Sequence, residues 1–147
     1  MAKNKKEHNI AYQLLDFNLE SQKPLSIKKE PEEYGYSVEI GRSVDLEEDL
    51  FFISTIVDSK SGPDNEPFFQ ATTVSTYAVK DLSDIYDEMP RDFIANLMAI
   101  SYSTTRGYLM ALNQGNFLEH SPLPLLTIQQ IAKQISEEES QKEKADK

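Results

Sequence analysis

Residues 11–21 (AYQLLDFNLES) alternate Leu15, Phe17 and Leu19 with polar neighbours, the two-residue period of a strand with one buried face. The stretch 34–45 (YGYSVEIGRSVD) repeats the period with Tyr36, Val38 and Ile40. Residues 50–59 (LFFISTIVDS) are apolar at nearly every position and predict a strand covered on both faces. Residues 68–80 (FFQATTVSTYAVK), rich in β-branched and aromatic side chains, predict a fourth strand. Between them lie a polar turn, 46–49, and a loop, 60–67, with Gly-Pro and Asp-Asn turn chemistry. Short links between successive strands predict an antiparallel meander. The exception is 22–33 (QKPLSIKKEPEE), a long connection with two prolines that carries Leu25 and Ile27, which a solvated loop does not need.

Past 81–88 (DLSDIYDE) the apolar period lengthens to that of a helix. Pro90 suits a first helical turn, where its missing N–H costs nothing. Phe93, Leu97, Ile100, Thr104, Tyr108 and Ala111 make one stripe, and Ile94, Met98, Thr105, Leu109 and Leu112 make another. Two stripes predict a helix covered on more than one side. Gly115 ends it, and the prolines of 116–126 (NFLEHSPLPLL) keep the chain from resuming at once. Thr127 and Gln130 form a capping box that opens a second helix with Ile128, Ile131 and Ile135 on one face. The expected fold is α+β: a four-stranded antiparallel sheet followed by a long helix and a shorter C-terminal helix. Small residues in the long helix (Ser101, Ser103, Thr104, Thr105 and Gly107) would let it approach its neighbours closely, across a subunit interface, with hydroxyls bonded to the preceding turn. Arg106, among them, needs a partner or a solvent-facing side. The boundaries expected are a flexible arm at 1–9, one domain at 10–136 and a charged flexible tail at 137–147.

Composition narrows the class. A chain of 147 residues, 39% hydrophobic and 10% aromatic, suits one folded domain. A net charge of −10 disfavours nucleic acid and anionic membranes as partners. No apolar run reaches the roughly 18 residues that span a bilayer, and no apolar segment follows the basic MAKNKKEHN start, so a cytoplasmic protein is expected. Without cysteine there is no disulfide framework, thiolate nucleophile or Cys-based metal site.

Candidate chemistry is sparse. No phosphate-binding Gly-rich loop, metal-ligand spacing or nucleophile elbow is present. His8 and His120 fall in segments read as arm and loop. The acidic run 45–49 (DLEED) lacks the alternating ligands of a calcium loop and reads as a solvated turn. Asp81, Asp84, Asp87 and Glu88 read as capping and dipole compensation ahead of a helix, with an acidic docking surface as the alternative. No acid, base or nucleophile has a defined setting, so no enzyme and no cofactor is expected. The chain carries more apolar surface than a small monomer hides, which predicts an oligomer. Leu25, Ile27, Tyr34 and Tyr36, with Leu123, Leu125 and Leu126 around Pro124, either cap the domain's own core or line a groove for extended apolar segments.

The segment RGYLMALNQGNFLEHSPLPLLTIQQI (106–131) gives these fragments a family likeness. Gly115, Phe117, Leu123, Pro124, Ile128 and Ile131 follow the order of glycine, aromatic, leucine-rich crossover with proline, and short amphipathic helix that marks the SecB-like protein-export chaperones. The chain resembles that family over about 11–135 in element order, as a divergent member: Ser101 stands where the family often has a proline before the mid-helix aromatic, here Tyr102, and the arginine comes late, at Arg106. The resemblance implies a homotetramer, a dimer of dimers with long helices between two sheets. It implies ATP-independent holding of unfolded preproteins in surface grooves for the Sec pathway, with possible delivery to SecA. Relatives that guard an antitoxin share the fold, so a dedicated chaperone for one partner is the alternative. The groove residues implied are Leu25, Ile27, Tyr34, Tyr36, Phe117, Leu125, Ile128 and Ile131. The oligomer interface is expected at Thr72, Val74, Thr76, Ser101, Thr104 and Gly107.

Overall fold

In the computed structural model the strands are β1 (Tyr12–Lys23), β2 (Tyr34–Asp45), β3 (Leu50–Ser61) and β4 (Glu66–Val79). They form one antiparallel sheet in the order β1-β4-β3-β2. The structure describes residues 10–27, 29–61, 66–120, 123, 127, 129–135 and 137, with only the backbone of Glu66 and His120. The expected arm 1–9 and nearly all of the expected tail lie outside them. Strands β2, β3 and β4 are the expected meander. β1 departs from it, because the long connection carries the chain across the sheet so that β1 pairs with β4 in a Greek-key order.

One face of the sheet is covered over its two central strands. On β3 it presents Phe51, Ile53, Thr55, Val57 and Ser59, and on β4 Ala71, Thr73, Ser75, Tyr77 and Val79, all buried. Phe52, Ile56 and Val74 point the other way and are half-buried, so the second face of β3 is not covered within this chain as its apolar sequence suggested. On β1 the alternation is broken twice. The register with β4 slips between Leu14 and Asp16 and again between Leu19 and Ser21, leaving Leu15 and Glu20 as bulge residues. Tyr12, Leu14, Phe17 and Leu19 therefore share the covered side, opposite Val79, Tyr77, Ser75 and Thr73, whereas Leu15 is 53% exposed.

Helices lie on the covered face. After a short helix α1 (Leu82–Ile85) and a 3-10 turn (Tyr86–Glu88), the long helix α2 runs Arg91–Leu112. Asp81 does not cap α1: its backbone is left-handed (φ 57°) and its side chain makes no capping hydrogen bond. Pro90 sits just before α2, and its carbonyl accepts the Phe93 and Ile94 N–H groups. Of the predicted stripe Ile94, Met98, Thr105, Leu109 and Leu112, all but the exposed Leu112 are buried. Of the other, Leu97 is buried, Phe93, Ile100, Thr104 and Tyr108 are half-buried and Ala111 is exposed, with Phe93 and Tyr108 against Tyr12 and Phe17 of β1. The capping box forms as read: Thr127 N–H donates to Gln130 Oε1 at 2.8 Å and Gln130 N–H to Thr127 Oγ1 at 3.1 Å. It opens helix α3, described over 129–135.

A row of hydroxyls fastens α2 to the sheet. Ser101 Oγ donates to Leu97 O at 2.9 Å, which leaves the Tyr77 hydroxyl to donate to Ser101 Oγ at 2.8 Å. Thr105 Oγ1 likewise donates to Ser101 O at 2.8 Å and takes its bond from Thr73 Oγ1, 2.7 Å away. Burial pushes the Tyr77 and Tyr102 hydroxyls above their ordinary pKa, so both stay neutral. Ser101, Thr104 and Thr105 thus bond within the chain, each hydroxyl satisfied by sheet or helix, and Ser103 is exposed. Either side of this seam lies an apolar cluster. One joins Phe51, Ile53, Tyr77 and Leu97 to Ile131 and Ile135 of α3. The other joins Val57, Phe68, Phe69 and Tyr102 to Leu109, Leu118 and Leu123.

Candidate functional site

The second cluster opens to solvent. Its edge is made by rings from three elements: Tyr34 at the start of β2, Phe68 near the start of β4, and Phe117 in the 3-10 turn Phe117–His120 after α2. Tyr34 is the hub. Its ring meets Phe68 at 5.7 Å, Phe117 at 5.8 Å and Tyr36 at 6.1 Å, each edge-to-face, and Phe68 meets Phe117 at 6.0 Å. Edge-to-face geometry sets the positive rim of one ring against the negative face of the next.

Local chemistry holds each ring in place. Past Leu112 the chain turns through an asparagine ladder: Asn113 Nδ2 donates to Leu109 O, Asn116 Nδ2 to Asn113 Oδ1, and Leu118 N–H to Asn116 Oδ1. Gly115 takes a positive φ of 92°, which a side chain would strain, and its N–H donates to Glu119 Oε2 at 2.9 Å. This corner delivers Phe117 beside Tyr34. On the opposite wall Ser26 N–H donates to Phe68 O at 3.0 Å, stitching the long connection to β4. Its neighbours Leu25 and Ile27 pack half-buried against the cluster. Phe68 and Phe69 are both buried although adjacent, because the register between β3 and β4 slips there.

Between the walls runs a cleft of about 510 Å³ lined by Pro24, Leu25, Ile27, Leu112 and Phe117, with Gln22, Asn113 and Asn116 as polar members and the backbone of Gly115 between the last two. A second hollow of about 390 Å³ lies on the far side of Pro24, against Pro67, Phe68 and Phe69. Charge enters at the rim, where the Tyr34 hydroxyl donates to Glu30 Oε1 at 3.2 Å. Burial, helped by the neighbouring Tyr34 and Glu30, pushes the Tyr36 hydroxyl up to about 12. The exposed lining of the cleft is more polar than apolar, so it offers an extended chain hydrogen-bonding groups around a smaller apolar strip. Among the described residues no group of three or more His, Asp or Glu could hold a metal ion, and none of their helices is long and apolar enough to cross a membrane.

Of the groove residues read from sequence, Leu25, Ile27, Tyr34, Tyr36 and Phe117 come together here. Ile131 does not join them: it is 2% exposed and packs in the first cluster, because α3 lays its apolar face over Phe51 and Ile53. Leu125 and Ile128 lie outside the described residues. The six interface residues do not share a face. Thr72, Val74 and Thr76 alternate with the covered positions of β4 and so lie on the sheet's outer face, whereas Ser101 is buried against Tyr77 and Gly107 is exposed on α2. Arg106 finds its partner 17 residues on, where Nε donates to Leu123 O at 2.7 Å. His8 lies outside the described residues, and the acidic turn closes on itself as Asp45 Oδ1 accepts the N–H groups of Glu47 and Glu48.

Phe68, Phe69 and Leu112 escape a sequence reading of the groove. Two adjacent aromatics at a strand entrance are the available signal, since a regular strand buries only one of them on a given face.

No protein-family model matches the chain, and no curated protein sequence matches it. Among solved structures the chain is similar to the Mycobacterium tuberculosis SecB-like chaperone Rv1957 in complex with a ChAD peptide from the HigA1 antitoxin. The two are 14% identical, with 79% of this chain and 87% of that chain covered and a TM-score of 0.44.

Proposed function

We propose that this protein is an ATP-independent holding chaperone that binds extended apolar segments of non-native chains in the cleft between Leu25, Ile27 and Phe117. The observation that carries the reading is the apolar strip of that cleft, Leu25, Ile27, Leu112 and Phe117 among polar neighbours, continued at its edge by the rings of Tyr34 and Phe68. Half-buried rings and aliphatic side chains give contact area without demanding a particular hydrogen-bond pattern, which suits binding with little sequence preference. The resemblance of the 106–131 segment to SecB-like chaperones supports the same reading, and with it clients destined for Sec export and SecA as a possible recipient.

The proposal includes assembly into a homotetramer. Tyr12, Leu14 and Leu15 on the β1 edge are exposed, and Met110 and Leu112 project from α2. On the outer sheet face Phe52, Ile56 and Val74 are half-buried. The β1–α2 side is therefore the surface with more to gain from a partner copy.

The test is suppression of aggregation. At near-stoichiometric ratio and without nucleotide, the protein should keep a slow-refolding client soluble. Unchanged aggregation at excess protein would refute the holdase reading. Capture of one dominant partner with no general suppression would replace it with the dedicated-chaperone alternative.

A further inference from the structure

The second bulge of β1 re-aims Gln22. With Glu20 extruded, Ser21 stands opposite Thr72 and Gln22 opposite Ala71, which is buried on the covered face. A regular register would set Gln22 opposite Gln70, on the outer face. Gln22 is instead exposed on the helix side of the sheet, where it lines the cleft. Among the described residues its carboxamide has no hydrogen-bond partner. On the wall that follows α2, Asn116 uses half of its capacity to build the corner. Its Nδ2 donates to Asn113 Oδ1 at 3.1 Å, and its Oδ1 accepts the Leu118 N–H at 2.9 Å. A carboxamide has two N–H groups and two lone pairs, so Asn116, half-buried at the cleft, keeps one of each. Both amides share the lining with the apolar strip of Leu25, Ile27, Leu112 and Phe117. No charged side chain of the described residues lines the cleft, although 27% of the chain is charged.

We propose that the cleft binds the main chain of an uncharged extended segment of a non-native polypeptide, with Gln22 as the residue that positions it. The inference rests on the client-binding reading of the cleft and adds the chemistry that selects the segment. A carboxamide carries the same donor and acceptor as a peptide group. Gln22 therefore offers Nε2–H to a client carbonyl and Oε1 to a client N–H. An extended strand points its peptide groups sideways and its side chains alternately to either face. Laid along the cleft, it turns peptide groups toward Gln22 and Asn116 while every second side chain meets the apolar strip. The main chain is common to all sequences, which fits a site of little sequence preference. A charged client side chain loses hydration there and gains no counter-ion, so charged segments are disfavoured.

The experiment titrates the full chain with a labelled ten-residue peptide of alternating leucine and threonine, followed by fluorescence anisotropy, and in parallel with reduced and alkylated lysozyme. A peptide series replaces each amide in turn by an ester, which removes one N–H, and one further peptide carries a central lysine. Gln22→Met keeps length and adds apolar surface, and Gln22→Ala is a second variant; far-UV circular dichroism establishes that both are folded. At one or more positions the ester should weaken binding about three- to tenfold, and each Gln22 variant should weaken binding of the parent peptide by a similar factor. At the position Gln22 reads, the ester should lose most of its effect in Gln22→Met. The central lysine should cost at least about tenfold, and affinity for the parent should change by less than about twofold between low and high salt. Gln22→Met binding as tightly as wild type, or ester peptides that all match the parent, would assign binding to apolar side chains and overturn the proposal. Tighter binding of the lysine peptide, lost in salt, would overturn it in favour of attraction to the acidic chain. Loss of native mass in Gln22→Met with peptide binding unchanged would give the cleft to a second copy. Binding of lysozyme but not of the peptide overturns main-chain recognition and leaves the chaperone reading standing. Binding of neither overturns both.

Discussion

Removing the Tyr34 ring is the perturbation that discriminates best among accounts of the aromatic rim. Tyr34 meets three rings, Tyr36, Phe68 and Phe117, at 5.7 to 6.1 Å. Each edge-to-face pair contributes about 0.5–1.5 kcal/mol beyond area burial, so three give about 1.5–4.5 kcal/mol. Neighbouring rings relax into the space and share contacts, so a loss of about 2–4 kcal/mol is expected for Tyr34→Ala. At this chain length that lowers the melting temperature by about 6–12 °C. Tyr34→Phe keeps the ring and removes the hydroxyl, with its 3.2 Å bond to Glu30, which is solvent-exposed and worth at most about 1 kcal/mol. Urea unfolding followed by circular dichroism gives the stabilities, and titration with an alkylated unfolded client gives the affinity. Tyr34→Ala should lose both stability and at least tenfold in affinity, with Tyr34→Phe close to wild type in both. Equal losses in the two variants would place the energy in the hydroxyl rather than the ring. Full stability in Tyr34→Ala would refute the hub.

Further expectations concern the ionisation of Tyr36 and the assembly surface. Tyr36 has a folded-state pKa raised from 10.0 to about 12, so its contribution is complete below pH 10 and is lost as pH rises through 12. Urea midpoints measured from pH 9 to 12 should fall less steeply in Tyr36→Phe, and an identical slope would remove the burial argument. For assembly, Gly107 is exposed on α2 and a side chain placed there meets nothing within 4 Å, so Gly107→Glu should lower the native mass in solution without unfolding the chain. Val74→Glu, on the outer sheet face, should leave the mass unchanged; the reverse outcome would move the interface to that face.

Local signals carry the most information in the sequence. The Thr127–Gln130 capping box and the limits of β2, 34–45, depend on residues close together in the chain, and both are legible there. The bulges at Leu15 and Glu20 are not, because an inserted residue shifts the phase of a strand only by reference to its partner. Of the groove, five residues are readable because unexplained apolar side chains in a charged connection or after a glycine stop need cover. Ile131 misleads for a geometric reason. Its place on the apolar face of α3 is evident, but which cluster that face covers depends on the direction the chain takes after Leu123. Likewise, alternation in β4 separates Thr72, Val74 and Thr76 from their neighbours without saying which set meets the helix.

The middle of the core and its open edge are built from different chemistry, and the difference bears on how the proposed client would be accommodated. Along the middle of α2, Thr73–Thr105 and Tyr77–Ser101 are buried hydrogen bonds, so sliding the helix over the sheet would leave several hydroxyls unsatisfied at once. Around Tyr34 the contacts are between half-buried rings, whose edge-to-face energies change little with modest tilts. Adaptation to clients of different sequence should therefore occur by movement of Tyr34, Phe117 and Leu25 side chains, with α2 fixed in register. A hydroxyl seam is a costly way to hold a helix that is free to shift and an effective way to hold one that must stay still. With the second apolar cluster between seam and cleft, the sheet and α2 form a rigid frame, while the apolar rim supplies the tolerance that the proposed binding of many segments requires.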